Sequence, residues 1–94
     1  MLERAVENAL VSAARQRKVW ALKLKILGRD GFPDRLCLAP GGRIAFVELK
    51  RPGGKPRALQ EMVHSKLRWL GFRVAVIDRK EDIEPFFREW LGGE

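Results

Sequence analysis

The chain has 94 residues, enough for one domain whose core removes a little over ~60% of the unfolded chain's surface from water. Apolar residues at 46% and charged residues at 33% exclude a disordered chain, and no apolar run approaches the ~20 residues of a membrane span. A formal charge of +7 favours an anionic partner, of which nucleic acid is the commonest. The single Cys37 excludes an internal disulfide and offers no metal-site spacing, so it reads as a small buried hydrophobe between Leu36 and Leu38. Met1-Leu2-Glu3-Arg4 lacks the apolar core of a secretory leader, so an intracellular protein is expected.

Leu2, Val6, Ala9, Leu10 and Ala13 recur at helical spacing and predict a helix from Leu2 to about Gln16. Val19 to Leu24 reads as a strand, and Lys25 to Asp30 as a polar loop. Arg35 to Ala39 is a second strand, Pro40-Gly41-Gly42 a turn, and Ile44 to Lys50 a third strand pairing antiparallel with the second. Arg51 to Arg57 is a basic, flexible loop. Pro56 suits a helix entry, Leu59, Met62, Val63, Lys66, Leu67 and Leu70 supply a core-facing stripe, and Gly71 ends the helix. Arg73 to Ile77 is a fourth strand, and Ile83, Phe86, Phe87 and Trp90 line a last helix before a frayed Gly92-Gly93-Glu94. Trp20, Trp69, Phe72 and Phe86 read as core. The whole is one α/β domain over residues 1–94. Its order is αβββαβα, and a crossover makes the third and fourth strands parallel in a mixed four-stranded sheet flanked by helices.

Two carboxylates and a lysine stand out in this frame. A strand points alternate side chains to opposite faces, so Glu48 and Lys50 share one face and Leu49 takes the other. A charge in an apolar strand is costly unless it is paired or holds a metal. The hairpin brings Asp34 towards both. Asp34 and Glu48 are natural ligands for Mg²⁺ or Mn²⁺, the Leu49 carbonyl could add an oxygen, and Lys50 could orient an attacking water. A further acid, Glu7 or Glu3, could come from the first helix. Taken singly, each has an ordinary reading: Asp34 as a turn residue, Glu48 with Lys50 as an ion pair, and Gln60 and His64 as helix-surface residues.

Taken together, Pro33-Asp34 and Glu48-Leu49-Lys50 resemble the PD-(D/E)xK nuclease signature. The longer string Gly31-Phe32-Pro33-Asp34-Arg35, Pro40 to Arg43, Phe46 to Gly53, Gln60 and Leu70-Gly71-Phe72 resembles the VRR-NUC (virus-type replication-repair nuclease) family, from Glu3 to about Phe87. The resemblance is to stand-alone phage and bacterial members. It implies a restriction-endonuclease-like core, metal-ligating Asp34 and Glu48, catalytic Lys50 and a motif glutamine at Gln60. It favours Glu7, which precedes Leu10 as the acid of archaeal junction resolvases precedes a core leucine, over Glu3. Lys55-Pro56-Arg57-Ala58 departs from the serine-proline that the family often has. Lys18, Lys23, Lys25, Arg29, Arg35, Arg51, Lys55 and Arg57 are expected to contact DNA phosphates. The expected protein is a Mg²⁺- or Mn²⁺-dependent endonuclease for branched DNA such as Holliday junctions. It would act as a homodimer with no membrane or nucleotide cofactor, in a bacterial or phage-infected cytoplasm. Two alternatives are a monomeric flap or fork nuclease and a catalytically silent DNA-binding module.

Overall fold

In the computed structural model, which describes residues 2–92 and side chains for residues 4–92, the chain follows the expected order. Helix α1 (Leu2–Gln16) leads into strands β1 (Trp20–Lys23), β2 (Arg35–Ala39) and β3 (Arg43–Leu49). Helix α2 (Ala58–Trp69) precedes β4 (Arg73–Ile77), and one 3-10 turn (Lys80–Asp82) introduces α3 (Ile83–Leu91). The four-stranded sheet runs β1-β2-β3-β4. Its first two pairings are antiparallel, and β3 pairs parallel with β4, placing Glu48 opposite Val76. Gly93, Glu94 and the Glu3 side chain lie outside the described residues.

The pleat of β3 divides the interior into two layers. Ala45, Val47 and Leu49 join Cys37 and Ile77 beneath α1 and α3, where Val6, Leu10, Phe86 and Phe87 are buried. Phe46 joins Leu67 and Val74 on the other face, beneath α2, with Leu36, Ile44 and Val63 packed against them. Arg17 ties the first layer together. It donates to the Ala13 carbonyl at 2.9 Å, pairs with Glu84, and stacks over the Phe87 ring at 4.8 Å.

Both helices that lead into strands, α1 and α2, end in hydrogen-bonded stops. At the end of α2, Phe72 N–H reaches the Leu67 carbonyl and Gly71 N–H the Arg68 carbonyl, with Gly71 at φ +101°. The same bond pattern ends α1, from Val19 to Ala14 and from Lys18 to Arg15, but the left-handed position is filled by Lys18 at φ +60°. Glycine would take that conformation without strain.

The stripe on α2 is rotated from the one expected. Gln60, His64 and Leu67 are the residues buried on this helix, whereas Leu59, Met62 and Leu70 are exposed. Two constraints turn the helix this way: Gln60 and His64 meet the Glu48 carboxylate, and Gly31 packs against Leu59 and Val63. Trp20, Trp69 and Phe72 are likewise exposed rather than core, Trp69 at 77%, whereas Phe86 is buried. Trp20 stands on an edge strand and Trp69 in the last turn of α2, so neither has a layer above it.

Gly31 sets how closely α2 approaches the loop that carries Asp34. Its φ is +93°, and a Cβ there would lie 3.0 Å from both Leu59 Cγ and Val63 Cγ2. Gly31→Ala should therefore cost about 1–3 kcal/mol through strain and overpacking. Thermal unfolding is expected to show a Tm lower by roughly 4–8 °C per kcal/mol in a domain this small. An unchanged Tm would mean that α2 and this loop are not held by close packing.

Candidate active site

Three segments meet at one end of the sheet: the loop before β2, the last turn of β3 and the first turn of α2. Pro33 is fully buried and anchors the loop, which leaves Asp34 exposed beside it. The Asp34 carbonyl accepts from Leu24 N–H at 2.8 Å, extending the β1–β2 pairing. Its carboxylate Oδ2 accepts from Leu49 N–H at 2.8 Å, pinning the side chain against the end of β3.

Glu48 sits at the bottom of the arrangement, 1% exposed, on the face covered by α2. Its Oε2 accepts from Gln60 Nε2 at 3.1 Å and lies 3.3 Å from Lys50 Nζ. Lys50 Nζ also donates to Gln60 Oε1 at 3.1 Å, and the Arg57 N–H donates to that same oxygen at 2.8 Å. Gln60 thus does two jobs. It caps the start of α2 and locks the Glu48 carboxylate and Lys50 ammonium in one geometry. Glu48 Oε1 is left with no hydrogen bond among the described residues and faces His64 Nε2, equally without one, at 3.6 Å.

Burial pushes the Glu48 carboxyl up to about 7, and the negative charge of Asp34 adds to the effect while Lys50 opposes it. Burial also holds His64 below its ordinary value, reinforced by the Arg68 and Lys50 cations. His64 therefore faces Glu48 as a neutral imidazole at neutral pH. At neutral pH the Glu48 carboxyl is therefore only partly ionised, in a place where two carboxylates approach each other.

Glu7 reaches the mouth of the same region from α1. It lines a cleft of about 310 Å³ with Lys23, Leu24, Lys25, Asp34 and Leu49. Its Oε2 is paired with an Arg35 guanidinium nitrogen at 2.6 Å, and that hydrogen bond holds its carboxyl below the usual range. Arg35 corrects an expectation. It is buried, donates to the Ala21 carbonyl at 2.7 Å as well as to Glu7, and so braces β1 against α1 rather than facing phosphate.

The other expected cations divide into groups. Lys23 and Lys25 line the cleft with Asp34. Arg51, Lys55 and Arg57 are exposed on the loop between β3 and α2, whose Gly53 N–H is tied to Asp78 Oδ2 at 3.0 Å. Arg29 borders a separate groove on α2, and Lys18 another cleft beyond β1. His64 is the site residue that sequence reasoning placed on the surface. Its spacing of one helical turn from Gln60 was the available signal.

The proton on Glu48 gives a prediction with a defined sign. The folded carboxyl titrates near 7 and the unfolded one near 4.5, so between these values the folded state binds more protons. Stability contributed by this group is full below the unfolded value and is lost as pH rises through about 7. Glu48→Gln should raise the stability of the metal-free protein at pH above that value, on the order of 1–3 kcal/mol, and leave it nearly unchanged in mild acid. Urea unfolding across that range checks this. A penalty of equal size at both ends would show that the carboxylate enters folding already charged.

No protein-family model matches the chain. A curated relative, "Putative nuclease p44" of Acyrthosiphon pisum secondary endosymbiont phage 1, is 43% identical over 79 residues, covering 84% of this chain and 85% of the relative. A solved structure described as a VRR_NUC domain superposes with a TM-score of 0.89 at 27% identity, over 96% of this chain and 98% of that one. With the Asp34, Glu48, Lys50 and Gln60 cluster built on that same fold, the chain belongs to the VRR-NUC nuclease family.

Proposed function

We propose that this nuclease is a Mg²⁺- or Mn²⁺-dependent endonuclease that hydrolyses phosphodiester bonds in branched DNA, with Holliday junctions as the preferred substrate. The observation that supports it best is the pair of carboxylates Asp34 and Glu48 beside Lys50. One carboxylate is exposed, the other is buried with Oε1 unpartnered, and the two are close enough for the charge of one to raise the pKa of the other. Such a pair is relieved by a cation.

Among the described residues no group of three or more His, Cys, Asp or Glu side chains converges on a metal position. Two carboxylates, the Leu49 carbonyl and water suit Mg²⁺ and Mn²⁺, which keep several waters and take few protein oxygens. The donors present therefore fit the ion, with Asp34, Glu48 and Leu49 holding it and Glu7 turned towards Arg35. When bound, the metal neutralises phosphate charge and acidifies water.

The chain's own residues supply the rest. Lys50, held by Gln60, places a fixed positive charge beside Glu48, where it orients the attacking water and stabilises charge developing on the phosphate oxygens. Water adds to phosphorus and gives up a proton to solvent, the ester P–O bond breaks, and the departing oxygen takes a proton from solvent. Lys23 and Lys25 at the cleft, with Arg51, Lys55 and Arg57 on the adjoining loop, hold the backbone phosphates. A homodimer would pair two such sites across a two-fold junction. The exposed Leu59 and Met62 on α2, in a groove carrying Asp30 with Arg29 and Lys66, support a self-complementary contact there.

The test is cleavage of labelled four-way junction, 5′-flap and linear duplex with Mg²⁺, Mn²⁺ or EDTA. Paired, metal-dependent nicks on the junction are expected. Asp34→Asn should abolish them, and Lys50→Ala should lower kcat by about 10²–10³ with little change in junction affinity. Cutting of flaps alone by a monomer would replace the junction reading with that of a flap nuclease. Binding without cleavage in any metal would overturn the metal-dependent enzyme.

A further inference from the structure

Beyond the proposed site, β1 forms an edge of the sheet, paired with β2 alone. At its far end lies a second cleft of about 390 Å³, lined by Val11, Arg15, Lys18, Val19, Trp20 and Ala21. It holds two cations and no acid. Trp20 is 68% exposed there, on an edge strand, and among the described residues its indole has no ring or cation partner. Lys18, which lines this cleft, has φ +60°, a conformation that glycine fills without strain at such a helix end. Strained backbone that positions a particular side chain is a pointer to function.

The two clefts lie at opposite ends of β1. Lys23 and Lys25 line the one beside Asp34, and Trp20 and Lys18 line the other. Trp20 and Lys23 are the two ends of the strand, about 10 Å apart at ~3.3 Å per residue, and their side chains leave opposite faces of it, so a short run of extended nucleotides joins them by crossing the open edge of the sheet. Arg15, Lys18 and Lys25 form no ion pair among the described residues, so their charges remain available to a ligand.

We infer that the β1 edge is a subsite for unpaired, single-stranded DNA. Trp20 stacks on one unpaired base, Arg15 and Lys18 take its flanking phosphates, and Lys23 and Lys25 lead the same strand to Asp34. Stacking needs an exposed base face, which a continuous duplex does not offer and a branch point does. The subsite therefore deepens the nuclease reading above. It assigns selectivity for branched substrates to a surface outside the carboxylate cluster.

The experiment uses a short fluorescein-labelled oligothymidylate and the full chain in EDTA, so that binding is measured with no cleavage required. Trp20→Ala should weaken binding about tenfold and Trp20→Phe by no more than about threefold, because a phenyl ring still stacks. Lys18→Gly should raise Tm by ~4 °C through relief of backbone strain, yet weaken binding and reduce the slope of log affinity against log salt by about 0.7. A more stable variant that binds less well cannot be explained by misfolding. Parental affinity in both Trp20→Ala and Lys18→Gly would overturn the proposal. So would conversion of a dimer to a monomer by Trp20→Ala, seen by sedimentation, with oligonucleotide affinity per chain unchanged; that result would assign Trp20 to a second copy. Because no metal is present, failure of the cleavage reading would leave these binding results standing, and their failure would leave cleavage untouched.

Discussion

Burial of the Glu48 carboxylate under α2 constrains most of the site around it. A carboxylate 1% exposed in the central strand is tolerated only with partners, because transfer of a charge from water to an apolar layer is far more costly than any single hydrogen bond recovers. The chain answers with Gln60, which supplies an N–H to Glu48 and an acceptor to Lys50. That arrangement dictates the rotation of α2, leaves Leu59 and Met62 outside, and makes Gly31 necessary where the Asp34 loop meets the helix. The site and the packing are one problem with one solution.

The same burial explains why the site holds a proton near neutrality. Desolvation raises the Glu48 carboxyl, Asp34 raises it further, and one lysine does not cancel them. By contrast the Glu7 carboxylate, partly exposed and bonded to Arg35, is stabilised as an anion. Two acids both expected as ligands therefore differ in state. Glu48 gains from a cation, and Glu7 already has one.

Much of the architecture was legible because β3 states its own pattern. Ala45, Val47 and Leu49 alternate with Phe46 and Glu48, and the flanking Gly-rich turns leave little choice of pairing. The Asp34–Glu48–Lys50 grouping followed from that pleat and from the hairpin register. The face of α2 was not legible, because Leu59, Met62 and Leu70 outweigh Gln60 and His64 in any count of apolar residues. Only the demand of a buried carboxylate, which acts through space, turns the polar pair inward. Arg35 misled for a related reason: a strand-end arginine looks exposed in sequence, yet its guanidinium crosses to Glu7 on a helix 28 positions away. The exposed Trp20 was equally hidden, since an edge strand and a covered strand share the same composition.

Asp34 and Glu48 are proposed to form one cation site whose occupancy displaces a proton. Calorimetric titration of Mn²⁺ into the metal-free protein, at pH near 7 and in two buffers of different ionisation enthalpy, tests it most directly. Binding is expected to release a fraction of a proton, since Glu48 titrates at about 7. That release should vanish well above this pH, and binding should be lost in Asp34→Asn. Binding of Mn²⁺ without proton release at neutral pH, or undiminished binding in Asp34→Asn, would contradict it.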